Sequence, residues 1–195
     1  MRILQVLTYY RPHTSGLTIY VERLARALAA RGHQVTVLTS RFASDLATNE
    51  VSAGVRIRRV PVLMRVSKGV IMPTFGFAAS RLVFNHEAIH LHLPQFDAAG
   101  VALRGRLLGR ATAITYHCDL QLPAGPVNRL ASVAVGVMNH LAARFAHRIV
   151  TYTDDFALNS PYLEGYRRKV EVIPPPVALA PAEPAETEAF AARHN

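Results

Sequence analysis

Short apolar runs rich in β-branched residues alternate along the chain with segments whose apolar residues recur at helical spacing. The first run is Arg2–Leu7, and the first helical segment is Leu17–Arg31, which Gly32 ends. A chain that repeats this order builds βαβ units, and such units give a parallel sheet with helices on both faces. The sequence therefore predicts an α/β fold built on one parallel sheet.

The alternation continues as far as the proline run that ends at residue 176. Further strands are predicted at Val35–Thr39, Val55–Val62, Ala88–Leu93, Ala111–Tyr116, Arg148–Thr153 and Val170–Ile173. Further helices are predicted at Phe75–Phe84, Ala98–Leu108, Val127–Ala146 and Asp154–Tyr166. Because proline has no N–H to donate to a ladder, Pro61 places the third strand at or near an edge of the sheet. The longest helix is predicted to contribute these residues to the core: Leu130, Val133, Ala134, Val137 and Leu141.

Length and composition fit a globular domain and exclude several other classes of protein. The 195 residues are 50% hydrophobic and 18% charged, which is enough apolar material for a core. Cys118 is the only cysteine, so a disulfide scaffold and a cysteine-based zinc finger are excluded and a reducing compartment is favoured. The sequence shows neither a signal-peptide pattern nor a spanning apolar run, and we expect a cytoplasmic protein.

The composition changes near the end of the chain. Residues 178–195 begin with alanine, proline and glutamate and carry negative charge, whereas the chain as a whole has a formal charge of +9. A segment of this composition is typical of an interdomain linker. We therefore interpret residues 1–177 as the folded domain and residues 178–195 as a linker.

Arginines in and next to the predicted helices give two alternative interpretations of the basic charge. The residues concerned are Arg104, Arg106, Arg110, Arg129, Arg144 and Arg148. Basic and apolar residues on one helix face suit peripheral contact with an anionic membrane on its cytoplasmic side, whereas a solvated face is the simpler interpretation. Arg56 and Arg58 share one face of a strand, next to Arg59, and indicate a solvated edge. No aromatic platform interleaves the arginines, so we predict no nucleic-acid partner.

Polar side chains collect where the predicted strands end. In an open parallel sheet, ligands bind beyond the carboxyl ends of the strands, near the switch in strand order. The candidate ligand-binding residues at this edge are Tyr9, His13, Ser15, Gly16, His92, His117 and Asp119. Ser15 and Gly16 precede a helix N-terminus, which favours an anion such as a phosphate. The alternative interpretation is that Ser15 caps the helix and Gly16 eases the turn, and the two roles are compatible.

Other ligand classes find weaker support in the sequence. Only one glycine occupies the first strand–helix turn, where a dinucleotide fingerprint needs three, and no P-loop motif occurs. His90 and His92 share one face of a strand, but a metal site needs further ligands, which only His117, Cys118 or Asp119 are placed to supply. We expect no metal and no cofactor, and we assign the histidine pair a packing and hydrogen-bonding role.

Four segments carry, in order, the motifs of one protein family. They are S-G-x-x-x-x-V-x-x-L-A-x-x-L-x-x-x-G-H-x-V-x-V at Ser15–Val37, I-H-L-H-L-P at Ile89–Pro94, T-Y-H at Thr115–His117, and A-x-R-I-V-x-x-T at Ala146–Thr153 with K-V-x-V-I-P-P-P-V at Lys169–Val177. With these segments the chain resembles the N-terminal domain of retaining glycosyltransferases of the GT-B fold, the group-one class called family four. The resemblance implies a Rossmann-like domain that forms the N-terminal, acceptor-side half of a two-domain enzyme.

The resemblance also implies a reaction and a set of roles. A sugar would pass, with retention, from a nucleotide-diphosphate sugar to an acceptor such as a lipid-linked, envelope or small-molecule glycan. His117 would be the catalytic residue beside the transferred sugar. Ser15 and Gly16 would form the loop that approaches the donor diphosphate, where the family usually has two glycines. Tyr9, His13, His92 and Asp119 remain candidates for binding the acceptor.

The family's second domain, which holds most of the donor, has no counterpart in these 195 residues, so the isolated domain is expected to be inactive. Two alternatives stay open. In the first, the chain is a non-catalytic module that binds a glycan or a lipid head group. In the second, it is half of a sugar-nucleotide epimerase. Whether a second domain follows distinguishes the enzyme from the module. Whether the sugar is transferred to an acceptor distinguishes the transferase from the epimerase.

Overall fold

Strand pairing follows the predicted alternation. The computed structural model describes residues 1–177, 188 and 190–193. The strands are β1 (Arg2–Val6), β2 (Gln34–Arg41), β3 (Asn49–Ser52), β4 (Val55–Pro61), β5 (Met64–Val66), β6 (Gly69–Ile71), β7 (Ala88–Leu93), β8 (Ala111–Tyr116), β9 (Arg148–Thr151) and β10 (Val170–Val172). The helices are α1 (Gly16–Ala30), α2 (Phe75–Asn85), α3 (Ala98–Leu107), α4 (Pro126–Phe145), α5 (Asp154–Asn159) and α6 (Pro161–Glu164).

One sheet carries the fold. Its strand order is β10-β9-β8-β7-β1-β2-β4-β3, and every pair is parallel except β3 with β4. The chain first builds outward from β1 through β2 and β4, then returns to the other side of β1 and builds outward from β7. This reversal opens a crevice between the carboxyl ends of β1 and β7. The Rossmann-like α/β fold is therefore confirmed.

Each predicted strand is present, and the differences lie in short or interrupted elements. β3 and the separate β5–β6 hairpin were not predicted, because their strands are only three or four residues long. The last predicted helix is two helices, because Pro161 cannot continue α5 and starts α6 instead. Pro61 ends β4, second from the sheet edge, and lies past the stretch that β3 covers.

Two hydrophobic cores lie on opposite faces of the sheet. On one face α1 contributes Val21 and Ala25, which pack against residues of β2 and β4. On the other face α2, α3 and α4 pack against the middle of the sheet, with α2 contributing Phe75 and α3 contributing Val101. Helices therefore flank the sheet on both sides, and the carboxyl edge between the two layers is left for polar residues.

Arg59 differs from its neighbours in the predicted basic edge. Arg56 and Arg58 are exposed, as expected, but the Arg59 side chain points to the α1 face and is only 2% exposed. Its guanidinium donates to Glu50 Oε2 at 2.7 Å and to the carbonyl oxygens of Ala47 and Arg11 at 3.0 and 2.9 Å. These contacts tie β3 and the loop after β1 to β4.

The prediction that the apolar stripe of the long helix belongs to the core is wrong. Leu130, Val133, Val137 and Leu141 are all exposed, by 72%, 59%, 49% and 38%. The buried residues of α4 lie only in its last two turns, and the first of them, Asn139, accepts a bond from Gln95 just after β7. The earlier part of α4 therefore lies beyond the carboxyl edge of the sheet, where no strand can cover its apolar side chains.

The predicted linker, residues 178–195, lies outside the described residues except for residues 188 and 190–193. Its role is therefore still a prediction. Among the residues that are described, no helix combines the length and the apolar character that crossing a bilayer requires.

Two helical glycines offer a matched test of this packing. A Cβ at Gly105 of α3 would collide with Thr112 Oγ1 of β8, whereas a Cβ at Gly136 of α4 would meet nothing within 4 Å. We expect Gly105→Ala to destabilise the protein by about 1–3 kcal/mol through overpacking. We expect Gly136→Ala to stabilise it by about 0.5–1 kcal/mol, because alanine loses less backbone freedom on folding.

Urea unfolding followed by circular dichroism measures both changes. Thr112→Ala in the Gly105→Ala background should recover part of the loss, since it removes the colliding atom. Equal stability of the two single variants would contradict the close approach of α3 to β8.

Candidate functional site

An open groove lies at the carboxyl edge of the sheet, at the crevice between β1 and β7. It encloses about 720 Å³ and is bordered by the loop after β1, the loop after β7, the loop after β8, the β5–β6 turn and the first half of α4. Five of the predicted site residues line it, namely Tyr9, His13, Ser15, His92 and Asp119. Gly16 and His117 are not among the lining residues, although each directly follows or precedes one.

A second groove, of about 830 Å³, lies at the opposite, amino edge of the sheet. It runs between α2 and the outer strands and is lined by Arg56, Arg58 and Arg81 among others. None of the predicted site residues borders it. The strand-end rule and the unpaired polar atoms described below favour the carboxyl-edge groove as the functional site.

Tyr9 and His13 form one wall of the carboxyl-edge groove. Their rings stack with centroids 5.0 Å apart, and Phe42 meets both rings edge-on. Burial raises the pKa of the Tyr9 hydroxyl, so this group stays protonated and can donate a hydrogen bond. Ring faces and a hydroxyl donor are groups that suit a sugar ligand.

Ser15 and Gly16 form the N-terminus of α1 beside the groove. The Ser15 hydroxyl accepts from the Thr18 amide at 3.2 Å, so Ser15 is the helix N-cap. The space around Gly16 is open, because an added Cβ would meet nothing within 4 Å. The packing of the protein itself therefore does not require glycine at this position, and the room next to the helix N-terminus is available to a ligand.

A chain of hydrogen bonds behind the groove links residues in or directly after four strands, β1, β7, β8 and β9. Tyr152, which follows β9, contacts His117 Nδ1 through its hydroxyl. His117 Nε2 lies 3.1 Å from His92 Nδ1, and His92 Nε2 lies 2.6 Å from Gln5 Oε1 in β1. The ring of Tyr20 on α1 closes over His117, with centroids 5.1 Å apart at 89°.

The end groups of this chain fix the tautomers of both histidines. Gln5 Oε1 only accepts, so His92 carries its proton on Nε2 and accepts through Nδ1. His117 must then donate from Nε2 and accept the Tyr152 hydroxyl at Nδ1. Every hydrogen bond in the chain points from Tyr152 toward Gln5, and both ring nitrogens of His117 are engaged within the protein.

Burial keeps these histidines neutral. It lowers the pKa of His117 to about 3, with a further contribution from His90. It lowers the pKa of His90 to about 4 and that of His92 well below its usual range. His90 is held by Thr115 at 2.7 Å, and its ring lies 4.4 Å from that of His92. The cluster therefore does not supply a proton at neutral pH.

Asp119 is anchored on one of its two oxygens. Its Oδ1 accepts from the Tyr116 hydroxyl at 2.9 Å and from the Ser160 hydroxyl at 3.0 Å. Burial and the neighbouring carboxylate raise the pKa of Tyr116, so Tyr116 remains a donor to that carboxylate. Asp119 therefore lines the groove with its carboxylate held in place through Oδ1.

Buried polar atoms without partners mark the groove as a place for a hydrogen-bonding ligand. The side chain of Gln95 is only 2% exposed, yet neither its Oε1 nor its Nε2 has a hydrogen-bond partner in the described protein. His13 Nδ1 is also buried without a partner. Such orphaned groups cost about 1–3 kcal/mol each, and a bound ligand or water would remove that cost.

Several residues of the site were not predicted as functional from the sequence. Gln5, Tyr20 and Tyr152 complete the histidine chain, and Lys68 borders the groove from the β5–β6 turn. The only sequence signal for the turn is Ser67-Lys68-Gly69 between two short alternating runs. Gln5 and Tyr20 lie inside segments whose apolar pattern already explains a strand and a helix, so nothing sets them apart.

A metal site finds no geometric support in the described part of the chain. No group of three or more His, Cys, Asp and Glu side chains is arranged there to hold a metal ion. His90, His92 and His117 instead bond to Thr115, to Gln5 and to one another.

Comparison with solved structures finds the same fold in several proteins of known structure. Sucrose-phosphate synthase from Thermosynechococcus elongatus superposes with a TM-score of 0.62 at 18% identity, over 89% of this chain and 47% of that one. HepE from Anabaena, solved with UDP and glucose, gives 0.59 at 12% identity, over 98% and 50%. UDP-GlcNAc 2-epimerase from Methanocaldococcus jannaschii gives 0.55 at 11% identity, over 88% and 45%.

At these identities the likeness establishes the fold alone. The chain spans about half the length of the solved structures it matches. A search of curated protein sequences finds no match.

The family comparison covers most of the chain. Residues 15–176 match the glycosyl transferase 4-like domain, a range that begins at the α1 cap and ends after β10. The match includes the loops after β7 and β8 that border the groove. By sequence family and by fold, this chain belongs to the glycosyl transferase 4-like domain family and has the architecture of the N-terminal domain of a GT-B glycosyltransferase.

Proposed function

We propose that the chain is the acceptor-side domain of a retaining glycosyltransferase that takes a sugar from a nucleotide-diphosphate sugar. The observation that carries the proposal is the carboxyl-edge groove of a glycosyl transferase 4-like domain, with a buried, unpartnered amide at Gln95. A polyhydroxylated acceptor provides both donors and acceptors for such an amide.

The N-terminus of α1 is the proposed contact for the donor diphosphate. The Gly16 and Leu17 amides begin the helix and lack backbone acceptors, while Ser15 occupies the Thr18 amide. Free amides and the helix dipole stabilise negative charge, which builds on the leaving diphosphate as the glycosidic bond to it breaks. Lys68 across the groove adds a positive charge.

His117 is the proposed contact for the transferred sugar, and its neutral state defines what it can do. Both of its ring nitrogens are bonded to protein partners, His92 and Tyr152, so a sugar hydroxyl would bond His117 by replacing one of them, and the neutral imidazole is not an acid at neutral pH. The proton of the acceptor hydroxyl then passes to the leaving phosphate. Asp119, anchored by Tyr116, is placed to orient that acceptor hydroxyl.

The second candidate function is half of a sugar-nucleotide epimerase, favoured by the likeness to the M. jannaschii enzyme. The two reactions differ in their products. A transferase releases the nucleotide diphosphate and a new glycoside, whereas an epimerase returns an inverted sugar. A non-catalytic module would bind a sugar or lipid head group and release neither product.

The test incubates the 195-residue chain, alone and together with the second domain that completes the cleft, with UDP- and GDP-sugars and candidate acceptors. Product analysis by mass spectrometry and nuclear magnetic resonance identifies the bond formed and its anomeric configuration. Release of nucleotide with a new α- or β-glycoside of the donor's own configuration is expected. A nucleotide sugar inverted at one carbon, with no nucleotide released, would support the epimerase, and binding without turnover would support the module.

We expect His117→Ala to lower the transfer rate about a hundredfold or more, because a preorganised polar contact to the reacting sugar is lost. Tyr152→Phe should have a smaller effect and should raise the pKa of His117, since the hydroxyl no longer donates to Nδ1. Its activity should therefore fall at a higher pH than that of the wild type. His33→Ala, at the amino edge, is the control. A His117→Ala protein that unfolds normally and transfers sugar at the normal rate would exclude His117 from the mechanism.

The Gln95 amide gives a test that separates binding from folding. Replacement by methionine removes two unpartnered polar atoms from a buried site and keeps the volume similar, so Gln95→Met should unfold at equal or higher urea concentration. The same change should weaken acceptor binding about tenfold, seen as a higher KM for the acceptor. Unchanged KM would mean that the groove binds the acceptor without Gln95.

The neutral histidines predict how stability depends on pH. Their pKa values are lower in the folded protein than in the unfolded chain, where histidine titrates near 6.5, so the unfolded state gains protons first as the pH falls. The contribution of each histidine to the free energy of unfolding is fully present above about pH 6.5. Below that pH it declines by about 1.4 kcal/mol per pH unit.

Urea midpoints of the wild type and His90→Gln between pH 7.5 and 5 test this prediction. As the pH falls, the free energy of unfolding of His90→Gln should decline less steeply than that of the wild type. The difference in slope should equal the contribution of one histidine. Asp97 affects the pH dependence in the opposite direction, because burial raises its pKa to about 6. Its contribution is the same in both proteins and cancels in the comparison. Parallel curves for the two proteins would show that His90 becomes charged in the folded state.

A further inference from the structure

The two helix layers of this domain differ in the character of their outward faces. Helices α2, α3 and α4 lie side by side on one face of the sheet, and their sequences contain no aspartate or glutamate. Helix α1 covers the opposite face, carries Glu22 in ion pairs with Arg11 and Arg26, and exposes no large apolar side chain. We call the outward surface of the first three helices the α2–α4 face.

Large apolar side chains project from the α2–α4 face into solvent. Those exposed by more than half are Phe77 (78%), Phe84 (63%), Leu107 (75%), Val127 (63%), Leu130 (72%) and Val133 (59%). They recur at helical spacing, so each helix presents its apolar residues on one side. An apolar surface that extends over three neighbouring helices marks an interaction site rather than scattered exposure.

The charged side chains of the same three helices are all cationic. They are Arg81, Arg104, Arg106, Arg129 and Arg144. None of the five is in an ion pair among the residues that the structure describes. Between residues 98 and 153 the chain has one acidic residue, Asp119, and it lies at the groove. The face is therefore apolar, and its positive charge is not neutralised by acidic side chains of the same helices.

We propose that the α2–α4 face binds the surface of a bilayer that contains anionic lipid. Phenylalanine and leucine side chains lower their exposure to water by entering the boundary between head groups and acyl chains. Arginine extends its guanidinium to the phosphates while its aliphatic stem stays in the apolar layer. Apolar residues combined with unpaired cations on one face, and the absence of acidic residues there, match the charge and polarity of such a surface.

The proposed membrane face is continuous with the groove through α4. Ala131 and Val135 line the groove, while Leu130 and Val133 on the same turns belong to the α2–α4 face. A head group lifted from a bilayer at α4 would therefore reach the carboxyl edge of the sheet directly. This consequence rests on the proposed function: the acceptor would be borne on a lipid. Membrane binding itself does not depend on sugar transfer.

Vesicle sedimentation tests the membrane face without any enzymatic readout. The full chain is mixed with vesicles of phosphatidylcholine alone, or of equal parts phosphatidylcholine and phosphatidylglycerol, at low and at high salt. We expect binding to the anionic vesicles at low salt, weaker binding at high salt, and little binding to phosphatidylcholine alone.

Variants identify the face. Phe77→Ser with Phe84→Ser should weaken binding to anionic vesicles about tenfold or more. Arg106→Gln with Arg144→Gln should weaken it about twenty-five-fold, at about fivefold for each charge near the surface. The control is Arg23→Gln with Arg31→Gln, which removes the same charge from the α1 side and should leave binding unchanged. All of these side chains are exposed, so each variant should keep the wild-type unfolding midpoint.

Three outcomes would overturn the proposal. One is a chain that binds neither kind of vesicle. Another is equal loss of binding in the α1-side control, which would mean that net charge alone drives the contact. The third is a concentration-dependent dimer, measured by light scattering, that disappears in the Phe77→Ser and Phe84→Ser protein while vesicle binding is absent. The face would then be an interface between copies of the chain.

Discussion

β1 pairs with β2 on one side and with β7 on the other, and the rest of the molecule depends on this central placement. Its interior residues are buried on both faces of the sheet, so the first strand must be apolar almost throughout. The one polar exception is Gln5, which is fully buried and bonds His92 of the adjacent strand. Because the chain changes direction across β1, the loops after β1 and β7 diverge and leave room for a ligand between them.

Much of this architecture could be predicted because the constraint acts through periodicity. Most parallel neighbours in this sheet are joined through a helix, so their strands appear in the sequence as regular β-α alternation, whereas β2 and β4 are joined through β3. The β5–β6 hairpin could not be predicted in this way, since its two strands pair only with each other and are three residues long. The split between α5 and α6 was foreseeable from Pro161 alone. The exposed stripe of α4 was not, because periodicity gives the apolar side of a helix but not what lies opposite it.

The candidate site divides along similar lines. Residues that follow strands, such as His13 and Asp119, could be assigned to the groove because parallel strands end at one edge. The histidine chain could not, because its members come from four separate segments and only the sheet register aligns them. His92 pairs with Thr115 across β7 and β8, and that register brings His117 next to the His92 ring. Tyr152 reaches the same place because β9 lies beyond β8.

Satisfied and unsatisfied polar groups at this edge have different physical consequences. The chain from Tyr152 to Gln5 consumes every ring nitrogen of His92 and His117, which fixes the rings and keeps them neutral. Gln95 lies two residues beyond the end of β7 and is equally buried, but its side-chain amide has no hydrogen-bond partner in the described protein. A fold that had only stability to satisfy would place an apolar side chain there, as it does at Leu93. The fixed histidines supply rigidity behind the groove, and the orphaned amide retains its hydrogen-bonding capacity for whatever enters it.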